Sequence, residues 1–302
     1  MFIENACGCE TNGLCHVLCG VVLTLSMVGC SSTEPSEPLT DITDAATGLF
    51  NVSIDHGGTE RTTLLYVPES YDATTGHPLI LNFHGFGGTS SDHLQWADMR
   101  PLAERDGVVL LYPQGTLLDG SPHWNAADPG GDNKSEADDV GFVVELITQL
   151  QDQYNIDSNR IYIMGYSNGS FFSYYLACSA SEYFAGVASV SGTMLDDTCG
   201  ATHPMPMINI HGTQDSVVAY DGGSEYPGVE SVLDIWVELN QTEAAPTIET
   251  LMDGSRTVEH HVYAAGESGV GIEHYKVIGG EHVWFDMTLN DQDTGELIWS
   301  YL

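Results

Sequence analysis

Apolar residues recur along this chain in short, nearly unbroken runs, each closed by a polar or glycine-bearing turn. Leu79-Ile80-Leu81-Asn82-Phe83, Val108 to Tyr112, Ile161-Tyr162-Ile163-Met164, Phe184 to Val190 and Met205 to Ile210 are the clearest. Runs this short between turn residues predict buried strands. Leu49 to Asp55 and Arg61 to Pro68 have strand-like spacing around His56-Gly57-Gly58, the pattern of an antiparallel hairpin. Val258 to Tyr263 and Ile272 to Ile278 read as the last two strands. Helical spacing lies between the runs. Val143, Leu146, Ile147, Leu150 and Tyr154 follow an N-cap at Asp138 or Asp139, and Val232, Ile235, Trp236 and Leu239 mark another amphipathic helix. Phe171 to Cys178 and Glu296 to Leu302 complete the set. Strands alternating with helices predict an α/β fold, with a mainly parallel sheet covered on both faces and ligands at the carboxyl ends of its strands. No internal repeat is visible and no insertion is long enough for a separate lid, so one domain over 47–302 is expected.

One junction carries chemistry. The run ending at Met164 passes directly into Gly165-Tyr166-Ser167-Asn168-Gly169 and then into a helix. Strand, G-x-S-x-G and helix in that order form a nucleophile elbow, in which the flanking glycines let strand and helix approach around a strained turn. Ser167 then projects at the top of the sheet, beside backbone N–H groups that favour developing negative charge. A serine needs a base, and the base an orienting acid. His203, His211, His260, His261, His274 and His282 all follow Ser167. His282, in Gly279-Gly280-Glu281-His282-Val283-Trp284, comes just past a strand on a glycine loop, whereas His260, His261 and His274 fall inside strands and read as structural. Asp215 follows the strand ending at Ile210 and is the preferred acid; Asp196 and Asp197 are rivals one strand earlier. The oxyanion donors are expected to be the N–H groups of Asn168 and of Phe86 in His84-Gly85-Phe86-Gly87-Gly88, with Gly85 and Gly87 as substitutes. Trp124, Tyr166, Trp284 and Phe86 are candidates for lining an open substrate cleft.

Charge narrows the partners. Acidic residues number 43 against 7 basic ones, a formal net charge of -36. Such a chain repels nucleic acid and anionic membrane surfaces, and it repels itself at low ionic strength, which points to saline surroundings. Cysteines divide by position: Cys7, Cys9, Cys15, Cys19 and Cys30 precede the domain, and Cys178 and Cys199 lie within it. The apolar run Val17 to Val28, ending in Met27-Val28-Gly29-Cys30, is too short for a membrane span. It resembles a lipoprotein signal over 1–30 that would leave Cys30 as the lipidated first residue, although Met1 to Gly20 lacks Lys and Arg. Ser31 to Pro38 opens a flexible tether over 31–46. An exported domain with Cys178 and Cys199 as its cysteine pair predicts a disulfide between them.

Taken together, His84-Gly85-Phe86-Gly87-Gly88, Tyr112-Pro113-Gln114-Gly115, Trp124-Asn125, Asp138-Asp139-Val140-Gly141-Phe142, Gly165-Tyr166-Ser167-Asn168-Gly169, His211-Gly212-Thr213-Gln214-Asp215 and Gly280-Glu281-His282-Val283-Trp284 resemble, in order, the polyhydroxybutyrate depolymerase and feruloyl esterase branch of the α/β hydrolases, related to carbohydrate esterase family 1. The resemblance covers nearly everything from about residue 50 onward and implies the α/β-hydrolase fold, with the family triad on Ser167, Asp215 and His282. Three positions depart from it. Phe285 stands where relatives often have proline, and His123 and Gln241-Thr242 where they often have cysteines, so a disulfide tying the Trp124 loop is absent and a looser loop is expected. The reading is an exported or surface-anchored serine esterase acting on feruloylated or acetylated polysaccharide or other bulky esters. Its rivals are a polyester depolymerase, a serine peptidase and a glycan-binding surface lipoprotein. No metal-ligand spacing, phosphate loop or dinucleotide fingerprint accompanies the elbow, so no cofactor is expected.

Overall fold

The computed structural model describes residues 46–128, 135–266 and 268–302. The leader ending at Cys30 and, but for Ala46, the tether over 31–46 lie outside the described residues. The chain opens with the expected hairpin, β1 (Gly48–His56) and β2 (Thr59–Val67), followed by β3 (His77–Phe83). Two short helices, α1 (Ser90–Trp96) and α2 (Arg100–Asp106), lead to β4 (Val109–Pro113). A small hairpin, β5 (Thr116–Leu118) and β6 (Ser121–His123), precedes α3 (Asp139–Gln153). Next come β7 (Ile156–Tyr166), α4 (Asn168–Ser179), β8 (Gly186–Val190), β9 (Met207–Gly212) and α5 (Val229–Asn240). β10 (Thr247–Asp253), β11 (Arg256–Tyr263) and β12 (Ile272–Val277) follow, then β13 (Thr288–Leu289), β14 (Gln292–Asp293) and α6 (Thr294–Tyr301).

Among the described residues the main sheet has ten strands in the order β1-β2-β4-β3-β7-β8-β9-β12-β11-β10. From β4 to β12 every neighbouring pair is parallel, and antiparallel hairpins close both edges. The central runs are continuous in hydrophobicity because both faces are covered. In β3, Leu79, Leu81 and Phe83 join one core cluster and Ile80 the other; in β4, Val109 and Leu111 part from Leu110 and Tyr112 in the same way. Ile161 and Ile163 against Tyr162 and Met164 repeat the alternation in β7, as the two-residue period of a strand requires. Helices α3, α4 and α5 cover the first cluster; α2 and α6 cover the second.

Three features depart from the sequence expectation. α1 and α2 bury only two side chains each, too few to print a helical period; α1 is set by its Thr89 cap, which accepts the Asp92 N–H, and α2 ends where Gly107 takes φ 69°. β10 is an edge strand whose Ile248 and Met252 face solvent, so it shows no inward alternation. β7 begins at Ile156, five residues before its apolar run, with Asp157–Arg160 as a polar overhang. The expected disulfide is present: Cys178 at the end of α4 is bonded to Cys199, tying down the loop that follows β8.

Candidate active site

All the candidate groups stand at the carboxyl ends of parallel strands. Phe86 follows β3, Ser167 follows β7, Asp215 follows β9 and His282 follows β12. Ser167 has φ 52° and ψ -120°, a conformation that costs a non-glycine residue roughly 1–3 kcal/mol. Surrounding bonds impose it: the Ser167 N–H donates to the Val190 carbonyl at 3.0 Å, while its own carbonyl accepts the Ser170 N–H at 2.8 Å. Both flanking glycines are required by space. A Cβ on Gly165 would stand 2.3 Å from the Gly169 backbone, and one on Gly169 would stand 2.2 Å from the Phe83 carbonyl oxygen.

The acid and imidazole loops are stitched together before they reach the serine. The Gln214 N–H donates to the Gly280 carbonyl at 2.9 Å, and Gly212 passes so close to Gly280 that a Cβ would meet its oxygen at 2.3 Å. Tyr166 Oη donates to the His282 carbonyl at 3.2 Å, and Ser191 Oγ to the Val283 carbonyl at 2.7 Å. Burial raises the Tyr166 hydroxyl to about 12, with the Asp215 charge adding to it, so it stays a donor. The result is one line of contacts. His282 Nε2 is 2.9 Å from Ser167 Oγ, and His282 Nδ1 is 2.7 Å from Asp215 Oδ2. Asp215 Oδ1 accepts the N–H groups of Val217 and Val218 at 2.9 and 2.8 Å, and buried His211 Nε2 approaches Oδ2 at 3.4 Å. Burial raises the Asp215 carboxyl, but the adjacent His211 and His282 imidazoles and the hydrogen bonds from these amides outweigh it and hold the group well below the usual carboxylate range. Asp215, not Asp196 or Asp197, therefore faces the imidazole as a carboxylate.

Among the described residues, the Phe86 and Asn168 N–H groups have no acceptor, whereas the Gly87 N–H donates to the Pro122 carbonyl at 2.7 Å, which removes Gly87 as a substitute. The turn bearing Phe86 is braced from below by His84. Its Nδ1–H donates to the Gly85 carbonyl at 2.8 Å, and its Nε2 accepts the Gly115 N–H at 3.0 Å and the Gln114 amide at 3.1 Å.

The Trp124 loop is held without a cystine. The Asn168 side chain accepts the Trp124 N–H at 2.8 Å and donates to the Trp124 carbonyl at 3.0 Å. Indole Nε1 donates to the His84 carbonyl at 3.1 Å, and the ring stacks on Phe172 with centroids 5.1 Å apart. Beside it, the Asn125 N–H donates to Asp139 Oδ2 at 2.8 Å, while Arg61 donates to Asp139 Oδ1 at 2.7 Å and lies over the Phe142 ring. Where the cystine is missing, polar bonds to the elbow helix and to a buried ion pair hold Trp124 and Asn125. Trp124, 2% exposed, forms part of a cavity wall but works mainly as packing. Trp284 is a further correction. It turns edge-on to His93 at 5.6 Å and lines neither cavity that opens on Ser167. His84, Arg61 and Asp139 escaped the sequence reading of the site because their partners lie tens of residues away; only the family segments containing His84 and Asp139 marked them.

The strand order and the serine elbow after β7 define an α/β hydrolase. Residues 62–275 match the family described as esterase PHB depolymerase, and the chain belongs to that family. Feruloyl esterase B of Piromyces equi is 24% identical over 236 residues, which cover 74% of this chain and 42% of that protein. Feruloyl esterase C of Emericella nidulans is 28% identical over 163 residues, 54% of this chain and 58% of that one. The bifunctional acetylxylan esterase/xylanase XynS20E of Neocallimastix patriciarum is 26% identical over 227 residues, 74% of this chain and 31% of that one. The matched regions thus span between 31% and 58% of these relatives. In three dimensions the acetyl xylan esterase from Aspergillus awamori superposes with a TM-score of 0.60 at 16% identity, covering 84% of this chain and 98% of that one, which shows the shared fold.

Proposed function

We propose that this protein is a carboxylic ester hydrolase working through an acyl-enzyme on Ser167, with His282 as base and acid, Asp215 as the orienting carboxylate, and the Phe86 and Asn168 N–H groups as the oxyanion hole. The observation that carries the reading is the continuous line from Ser167 Oγ through His282 to Asp215, at 2.9 and 2.7 Å. As Ser167 Oγ bonds to the ester carbon, His282 Nε2 takes its proton and the carbonyl electron pair moves onto oxygen, toward the two free N–H groups. Collapse breaks the bond to the alcohol oxygen, which receives the proton from His282. Water then adds to the acyl carbon in the same way, giving its proton to His282; the carboxylic acid leaves and Ser167 recovers its hydrogen. Asp215 stays ionised throughout and stabilises the imidazolium.

Feruloyl or acetyl esters of plant polysaccharide are the substrates best supported, since the relatives above carry those names and both cavities beside Ser167 are open and roomy. The polyester alternative draws on the exposed Phe86, Trp96 and Val217 around the second cavity. Export with lipidation at Cys30 completes the proposal; mass spectrometry of the mature amino terminus tests it. For the chemistry, purified protein should hydrolyse p-nitrophenyl acetate, and Ser167→Ala should abolish turnover. Retention of activity in that variant refutes the mechanism. Comparison of methyl ferulate, acetylated xylan and hydroxybutyrate oligomers then ranks the substrates.

A further inference from the structure

Among the described residues, Ser167 lines two cavities. The smaller, about 340 Å³, is lined by Trp124, Asn168, Phe171, Leu195, Val218 and Tyr226 among others. The larger, about 410 Å³, is lined by Tyr166, His282, Thr89, Asp92 and Trp96 among others. Phe86 and Ser167 line both, so Phe86, 59% exposed, is the partition between them. The proton His282 takes from Ser167 must pass to the departing alcohol oxygen, so that oxygen lies beside His282 Nε2. His282 lines the larger cavity and not the smaller. The alcohol half of the ester therefore occupies the larger cavity, and the acyl half enters the more apolar space beside Asn168 and Phe171.

We propose that the larger cavity is a subsite for a carbohydrate leaving group, with Trp96 as its stacking platform and Asp92 as its hydroxyl acceptor. This rests on the esterase reading above and adds residues that reading does not use. Trp96 is 60% exposed, a large aromatic left open on the wall of a cavity that Thr89, Asp92 and His282 also line. Asp92 is held in place, its N–H donating to Thr89 Oγ1 at 3.1 Å and its Oδ2 accepting the Thr89 hydroxyl at 2.7 Å. Its Oδ1 has no donor among the described residues and faces no cation there. A sugar ring offers what this pair needs: a C–H face to lie on an indole, and hydroxyl donors for a carboxylate, whose hydrogen bonds are the strong, charge-assisted kind. A polyester chain offers no hydroxyl along its length, and an anionic alcohol is repelled by Asp92.

The test compares esters that share an acyl group and differ in the alcohol. In wild type, Trp96→Ala, Trp96→Phe and Asp92→Ala, kcat/KM is measured for an acetylated xylo-oligosaccharide and for ethyl acetate. The expected result is that the ratio of sugar ester to ethyl ester falls about five- to tenfold in Trp96→Ala, the size of one aromatic contact, through KM and not kcat. Trp96→Phe should keep most of the ratio, and Asp92→Ala should lower it by a similar factor. A ratio unmoved in Trp96→Ala overturns the subsite. So does a loss in kcat on both esters alike, or an equal loss on a hydroxybutyrate dimer, which would make the platform one for polyester. If the wild type hydrolyses none of these esters, the esterase reading itself fails; if it hydrolyses them with an unmoved ratio, only the subsite does.

Discussion

His84 is the most informative residue to remove, because it joins the stability of the fold to the oxyanion turn. Its Nε2 is the sole described acceptor of the buried Gly115 N–H, and its Nδ1–H holds the Gly85 carbonyl next to Phe86. His84→Ala leaves that N–H buried without an acceptor, at about 1–3 kcal/mol, and opens space against Trp124, so a total near 3 kcal/mol is expected in denaturant titrations. The turn carrying the Phe86 N–H loosens as well, and kcat should fall about 10²- to 10³-fold with little change in KM, the loss of one oxyanion donor. The same residue sets a pH dependence. Burial lowers the His84 imidazole to about 4, with the Gly85 carbonyl opposing and His123 adding to the depression. An unfolded histidine takes a proton near pH 6.5, the folded one only near 4, so acid favours the unfolded chain and stability falls as pH drops through that window. From pH 6.5 to 5 the loss due to His84 is about 1.6 kcal/mol. His93, lowered to about 3 by burial with His84 adding, acts in the same direction. Stability measured at pH 7 and pH 5 should therefore fall less in His84→Ala than in wild type. Identical pH slopes, or a kcat within twofold of wild type, would refute the assignment.

Other outcomes follow from the same contacts. Asp215→Asn should lower kcat by about 10⁴-fold while the fold persists, because the amide no longer orients or stabilises the imidazolium; steady-state kinetics beside a melting curve checks both halves. Arg61→Ala strands the Asp139 carboxylate beneath the Trp124 loop and should cost about 3–5 kcal/mol in chemical denaturation. Asn168→Ala keeps its backbone N–H but loses both bonds to Trp124, so kcat/KM for bulky esters should fall more than for ethyl acetate; an equal fall would place the loss in the oxyanion hole itself. Breaking the Cys178–Cys199 bond, which closes a separation of 21 residues, should remove about 3 kcal/mol, read as a lower melting temperature under reductant.

Much of this molecule was legible along its length. Continuous apolar runs such as Leu79 to Phe83 announce strands covered on both faces, since only the centre of a parallel sheet hides every side chain of a strand. The elbow was equally plain, because its spacing is written in five consecutive residues, although Gly169 is required by the distant Phe83 carbonyl as well as by the turn itself. Chain order narrowed the partners, and position just after a strand, with the family segments, selected Asp215 and His282. What stayed hidden depends on residues far apart in sequence. An exposed edge such as β10 has no inward face to pattern, and α1 and α2 are too short to show a period. The bracing of the oxyanion turn by His84, the clamp of Asn168 on Trp124, and the Arg61–Asp139 pair join partners separated by 31, 44 and 78 positions. The division of the site into two cavities at Phe86 likewise arises only when loops from β3, β6, β9 and β12 converge. Local sterics and periodic burial are fixed by neighbouring residues and so belong to the sequence; which polar groups satisfy one another, and what space they enclose, is decided only when the sheet brings those loops together.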